Sequence, residues 1–136
     1  MGKIPKHYTS GLSKKDKKSQ IREIKKSKRL YKKGKYHTRK KMKSFKPKRS
    51  RHVVDFEKKY KVKITNKAGV SRKTKISPKA QRQILRKGRG AYYSSGSRPG
   101  QTPSSWAYAR LASVALKRGA YKVDKHILNK HEIKLK

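Results

Sequence analysis

At 136 residues the chain has room for one small domain, with an arm at most, which excludes a multidomain enzyme. Lys and Arg number 44 against 6 Asp and Glu, a net charge of +38, and only 23 residues are Leu, Ile, Val or Phe. That is under the roughly 20% at which high charge predicts disorder, so the expectation is a chain that orders within an assembly, helped by eight Tyr and one Trp.

Charge divides the chain unevenly. Residues 1–89 carry 35 basic and 4 acidic groups, residues 90–136 only 9 and 2, which reads as an arm followed by a packed module; the helix start at Ser77 and Pro78 sets the division at a basic arm over 1–76 and a small helical module over 77–136. In the arm, Ser13 with Asp16 three residues on has the pattern of a capping box, and Ile21, Ile24 and Tyr31 recur at helical spacing before Gly34, predicting a helix over 13–33. Its apolar stripe is narrow and cations cover its other faces, so it requires an anionic or apolar partner. Residues 34–51 lack periodicity, contain Pro47 and read as an extended segment. Val53, Phe56 and Tyr60 at i, i+3 and i+7 predict a short helix over 51–60 capped by Ser50. Loose alternation over 61–76 suits a strand or hairpin turning around 66–69.

The second part has clearer punctuation. Ser77 and Pro78 stand at Ncap and N1 of a helix presenting Ala80, Ile84 and Leu85 and stopping at Gly88. Thr102 and Pro103 open another, with Trp106, Ala109, Leu111, Ala112, Val114 and Leu116 as its apolar surface and Gly119 after its last turn. Asp124 is placed to cap a final helix carrying Ile127 and Leu128, with Val123 as a hydrophobic staple. The expected fold is mainly α: short helices joined by extended segments.

With no Cys, disulfides, zinc ribbons and thiol nucleophiles are excluded. No apolar run approaches the ~18 residues of a membrane span, and the start of the chain lacks the apolar stretch of a secretory leader. The six carboxylates are scattered without a local pair, the five His are dispersed, and no GxxxxGK[ST] or HExxH motif occurs, which argues against an enzyme, a metal site or a cofactor. What remains is a polyanion-binding surface. Lys14, Lys17, Lys18, Lys25, Lys32, Lys33, Arg39, Lys40, Lys41, Lys48 and Arg49 are its candidates, acting by counterion release with little sequence selectivity. Tyr31, Tyr36, Phe45 and Tyr60, interleaved with these cations, suit either stacking on unpaired bases or anchoring in a protein neighbour. The Gly-rich stretch with Arg89, Ser94, Ser95, Ser97 and Arg98 reads either as an anion-binding nest or as a glycine-permitted turn that stacks Tyr92, Tyr93 and Trp106. Tyr36, Phe45, Tyr92, Tyr93 and Trp106 are the candidate protein-contact anchors.

The stretch KGRGAYYSSGSRPGQTPSSW over 87–106, with ARLAS at 109–113, VDKHIL at 123–128 and LSKKDKK at 12–18, resembles a family of small basic proteins of unknown function encoded by large DNA viruses of algae, marked by a KGxGAYYSSGSRPxQTxxSW block. After ARLAS that family usually has a Thr-Gly-Gly-Lys type turn, where this chain has Ala115, Leu116, Lys117, Arg118 and Gly119. The resemblance implies no catalytic residue. It implies a virion component, a minor capsid or cement protein contacting capsid proteins at the inner face of the shell. The alternative is a protein that condenses the viral DNA. An anionic internal membrane surface is a further candidate for the counter-charge, and no small-molecule substrate is expected.

Overall fold

The computed structural model describes residues 4–39, 50–131 and 133–135. These form a 3-10 turn at Lys6–Tyr8 and the helices α1 (Lys14–Lys32), α2 (Arg51–Tyr60), α3 (Lys67–Thr74), α4 (Pro78–Ser94), α5 (Pro103–Ala115) and α6 (Gly119–Lys130), with no strand among the described residues. The mainly helical class expected from the sequence is the class observed. No described helix is long and apolar enough to cross a membrane.

The chain divides into two compact units that interleave in sequence. One draws on Met1–Lys48 and Arg89–Trp106, the other on Arg49–Gly88 and Ala107–Lys136. This grouping differs from the expected boundary between 76 and 77: Ser77 and Pro78 open α4, whose Ala80 and Ile84 join the same cluster as Phe56 and Val70 from before that boundary.

In the first unit, Ser13 caps α1 by accepting from the Asp16 amide at 3.2 Å, as the capping pattern indicated. The helix ends where Gly34, at φ 77°, lets the Gly34 and Lys35 amides reach back to the Tyr31 and Leu30 carbonyls, a Schellman-type closure. The buried face of α1 is Gln20, Ile24 and Ser27, with Tyr31 half-buried. Its narrow stripe finds its partner inside the unit. Gln20 donates to the Tyr8 carbonyl at 3.3 Å and Ser27 to the Tyr93 carbonyl at 3.1 Å, and a side chain at Gly96 would press on Ile24 and Tyr8.

The second unit holds a hydrophobic cluster that includes Val53 and Phe56 of α2, Val70 of α3, Ile84 of α4, Leu111 and Val114 of α5, and Ile127 of α6. Burying such side chains stabilises by roughly 1.5–3 kcal/mol each. Helix α2 matches its expected span, although Ser50 makes no side-chain cap bond. The expected strand over 61–76 is instead α3. Asn66 is its N-cap, accepting from the Gly69 amide at 3.0 Å, and Gly69 is packed so closely that a methyl there would overlap Val62. An Asn three residues before a Gly serves a hairpin or a helix start equally well locally, and burial of Val70 and Thr74 one turn apart decides for the helix.

Helix α4 opens as expected, with the Ala80 amide bonding Ser77 Oγ at 3.3 Å, but it does not stop at Gly88. A Cβ on Gly88 would lie 2.7 Å from Ala107 Cα, so Gly88 permits a close approach of α4 and α5 within this unit. That packing offsets the ~1 kcal/mol a helical glycine costs relative to Ala. The residues expected to form a loop from 88 onward are therefore helical as far as Ser94. Helix α5 opens with a reciprocal cap, Ser105 N to Thr102 Oγ1 at 3.0 Å and Thr102 N to Ser105 Oγ at 2.8 Å. It ends at Ala115 rather than at Gly119, because Lys117 itself takes the left-handed conformation at φ 56° and the Arg118 amide bonds the Ser113 carbonyl at 2.8 Å. Gly119 begins α6, whose Ala120 amide is satisfied by Ser113 Oγ at 3.2 Å.

Two expectations for α6 are corrected. Asp124 is not a cap but a fully buried residue in mid-helix, and Val123 is 58% exposed instead of stapling the helix start.

Candidate functional site

On a helix of 3.6 residues per turn, Lys14, Lys18, Arg22, Lys25, Arg29 and Lys32 fall within one narrow sector of α1, facing away from Gln20, Ile24 and Ser27. All six are exposed, and at 1.5 Å per residue the row extends over roughly 27 Å. Lys17 and Lys33 are exposed beside it, while Asp16 and Glu23 lie on the flank. Arg29 and Lys32 in the last turn suit the helix dipole, whereas Lys14, Lys15 and Lys17 in the first oppose it and are offset only by Asp16. So Lys14, Lys17, Lys18, Lys25, Lys32 and Lys33 share one solvent-facing side of one element. Lys40, Lys41, Lys48, Arg49 and Phe45 lie outside the described residues.

Arg39 departs from the group. It is 8% exposed, and its guanidinium donates to the Tyr92 carbonyl at 2.7 Å, to Ser97 Oγ at 2.6 Å and to Ser27 Oγ at 3.4 Å. The guanidinium carbon lies 3.7 Å from the centre of the Tyr92 ring, and the Arg39 amide donates to the Tyr92 hydroxyl at 3.1 Å. The last carbonyls of a helix have no partners within it. Arg39 and Ser27 supply partners for two of them, and a cation belongs at that end of the dipole. Burial pushes the Arg39 pKa down from its ordinary value, while Tyr92, Tyr8 and Glu23 act in the opposite direction. Arg39 is thus an internal strut rather than part of a polyanion-binding surface.

The loop set also separates. Arg89, Ser94, Ser95 and Arg98 are exposed, but Ser97 is buried, accepting from Arg39 and donating to the Arg98 carbonyl at 3.0 Å. Ser97 is turned inward, and the Ser95 and Gly96 amides bond the Ala91 carbonyl at 2.8 and 3.2 Å, so these donors are engaged within the chain. Gly96 at φ 102° makes this turn, but Tyr92 and Tyr93 meet edge-on at 5.2 Å without Trp106, whose ring pairs with Tyr8 instead.

Among the expected anchors, Tyr92 is fully buried, and Trp106 is half-buried with its ring edge-on to Tyr8, centroids 5.9 Å apart. Tyr36 remains open, 71% exposed. It meets Tyr93 at 5.0 Å and Tyr31 at 6.0 Å between centroids, and Tyr31 and Tyr93 lie nearly parallel at 6.0 Å. Sequence reasoning named all three tyrosines without joining them, since Tyr31 and Tyr93 are far apart along the chain and nothing local pairs them.

Asp124 and Asp55 of the second unit serve structure. Asp124 receives Arg110 through two bonds, Nε at 2.7 Å and Nη2 at 2.8 Å, with Lys87 Nζ at 3.3 Å. The Asp124 bond raises the pKa of Arg110. Asp55 accepts from Arg118 at 2.7 Å, and that bond holds its carboxyl below the usual range. Among the described residues no buried side-chain nitrogen or oxygen lacks a partner, and no cluster of three or more His, Asp or Glu is placed to hold a metal.

No curated protein and no solved structure matches the chain. Both the α1 row and the tyrosine group fall within residues 5–131, which match the model of a family of unknown function (DUF5824), and the chain belongs to that family.

Proposed function

We propose that the chain is a structural protein of a large DNA virus particle, holding packaged nucleic acid through its cationic helical surface. The observation that carries this reading is the outward row of α1, six exposed cations in line over roughly 27 Å with both acidic residues of the helix kept off it. A row of this kind neutralises successive phosphates by displacing their counterions and reads no sequence. The viral setting rests on the block at 87–106 that resembles small basic proteins of large DNA viruses of algae.

The structure weakens one argument for a cement protein among capsid neighbours, because Tyr92 and Trp106 are engaged within the chain and the core of a protein interface needs aromatic anchors. What favours that second reading is Val54 and Val123, 43% and 58% exposed on the second unit. Fractionation separates the two. Particles opened mildly and split into shell and genome are expected to leave the protein with the genome, released by nuclease or by salt. Retention on nuclease-treated shells would favour the cement reading, and flotation with an internal membrane would assign the counter-charge to lipid.

A further inference from the structure

We infer that Tyr31, Tyr36 and Tyr93 form a platform on which an unpaired base of a single strand stacks, flanked by cations for the neighbouring phosphates. This deepens the nucleic-acid reading and rests on it. Tyr36 is the most exposed large hydrophobic side chain among the described residues, yet it is not loose. One side of its ring is in contact with Tyr93 and Tyr31 at 5.0 and 6.0 Å, which leaves the remainder open to solvent.

The short segment that bears Tyr36 is held at both ends. Gly34 closes α1 just before it, and Arg39 fastens the chain to Tyr92, the neighbour of Tyr93, just after it. Tyr31 is held from behind by α4, where a side chain on Gly90 would come within 3.3 Å of its hydroxyl. An aromatic surface already ordered in this way loses little entropy when a flat ligand is added.

Charge complements the rings. Lys32, Lys33 and Lys35 are exposed in the residues between Tyr31 and Tyr36, and Arg89 is exposed one helical turn before Tyr93 on the same face of α4. Glu23, the acidic residue nearby, faces His37 at 3.2 Å. Aromatic surface with exposed cations close to it along the chain matches a strand whose bases are free to leave a stack, and it offers nothing extra to a duplex, whose bases are already stacked on one another.

The test uses the full chain and three labelled ligands of equal length: a thymidine oligonucleotide, the same strand with abasic sites throughout, and a random-sequence duplex. Stacking on one aromatic residue is expected to make Tyr36→Ala weaken thymidine-strand binding by about 5- to 100-fold. Its affinities for the abasic strand and the duplex are expected to change by less than about twofold, and Tyr36→Trp is expected to tighten the thymidine strand alone. Far-UV circular dichroism and the urea midpoint of each variant, with Trp106 fluorescence for Tyr36→Ala, are expected to match the unaltered chain. Equal losses on all three ligands, or no loss on any, would overturn the platform while leaving the nucleic-acid reading in place. If the unaltered protein bound none of the three, that reading would fail and the platform with it.

Discussion

Replacing Asp124 by Asn is expected to destabilise the second unit by about 3 kcal/mol, the low end of what removing one partner from a buried ion pair costs. The substitution keeps the shape and removes the charge. Asp124 is fully buried in mid-helix and receives both nitrogens of the Arg110 fork, and an amide would turn a donor toward a guanidinium that has only donors. Arg110 is itself mostly enclosed and cannot turn fully to water, whereas Lys87, with more than a third of its side chain exposed, can. Leucine at both 110 and 124 is expected to be less damaging than the single Asn, because it removes the charges together. Urea melts followed by far-UV circular dichroism, with hydrogen exchange of α6 amides to localise the loss, measure both. A loss under about 0.5 kcal/mol in the single variant would show that the pair does not hold α6 in place.

In the first unit the corresponding variant is Arg39→Met, expected to cost about 3 kcal/mol, since bonds from a charged donor contribute roughly 1.5–3 kcal/mol each and the Tyr92 carbonyl would be left buried without its partner. Tyr92 and Ser97 lose the donor that joins the end of α4 to the residues after it, and Tyr92 loses the cation on its ring face. Lysine at this position is expected to recover less than half of the loss, because an ammonium cannot reach two acceptors with the fixed fork of a guanidinium. Trp106, the one tryptophan, lies in this unit and reports its unfolding by fluorescence. An unchanged urea midpoint for Arg39→Met would mean that Arg39 is not a strut.

The elements legible in the sequence are those whose ends are written locally. Ser13 with Asp16, and Thr102 before Pro103, mark helix starts from residues within one turn; the structure closes the first through Ser13 and the Asp16 amide and the second through a Thr102–Ser105 pair. The elements whose ends the local sequence does not disclose depend on partners distant along the chain. Gly88 resembles a stop signal, and only the closeness of Ala107 shows why a glycine belongs inside a helix there. Lys117 replaces the expected glycine at a helix end, a choice that composition does not reveal. Asp124, a residue type suited to a cap, is committed instead to Arg110, fourteen residues earlier.

The same division runs through the functional residues. The exposed cations of α1 follow from helical period and charge alone, so Lys14, Lys18 and Lys25 were accessible to sequence reasoning. Arg39 stands beside Lys40 and Lys41 in one basic run, and nothing within that run distinguishes the residue that turns inward. Its selection is tertiary: the end of α4 needs a donor for its carbonyls, and a planar guanidinium spans Tyr92 and Ser97 together. The block at 87–106 is prominent in sequence, and much of its composition is explained by packing within the chain through Gly88, Tyr92, Gly96 and Ser97.

The most direct measurement of the central claim is the salt dependence of binding to a random-sequence duplex, comparing the unaltered chain with a variant carrying Gln at Lys14, Lys18, Arg22 and Lys25. If the α1 row neutralises six phosphates, log Kobs against log salt is expected to fall with a slope of about −5 or steeper, and the four substitutions are expected to flatten it by about 3 to 4. A slope near zero, or one that the four substitutions leave unchanged, would contradict the account.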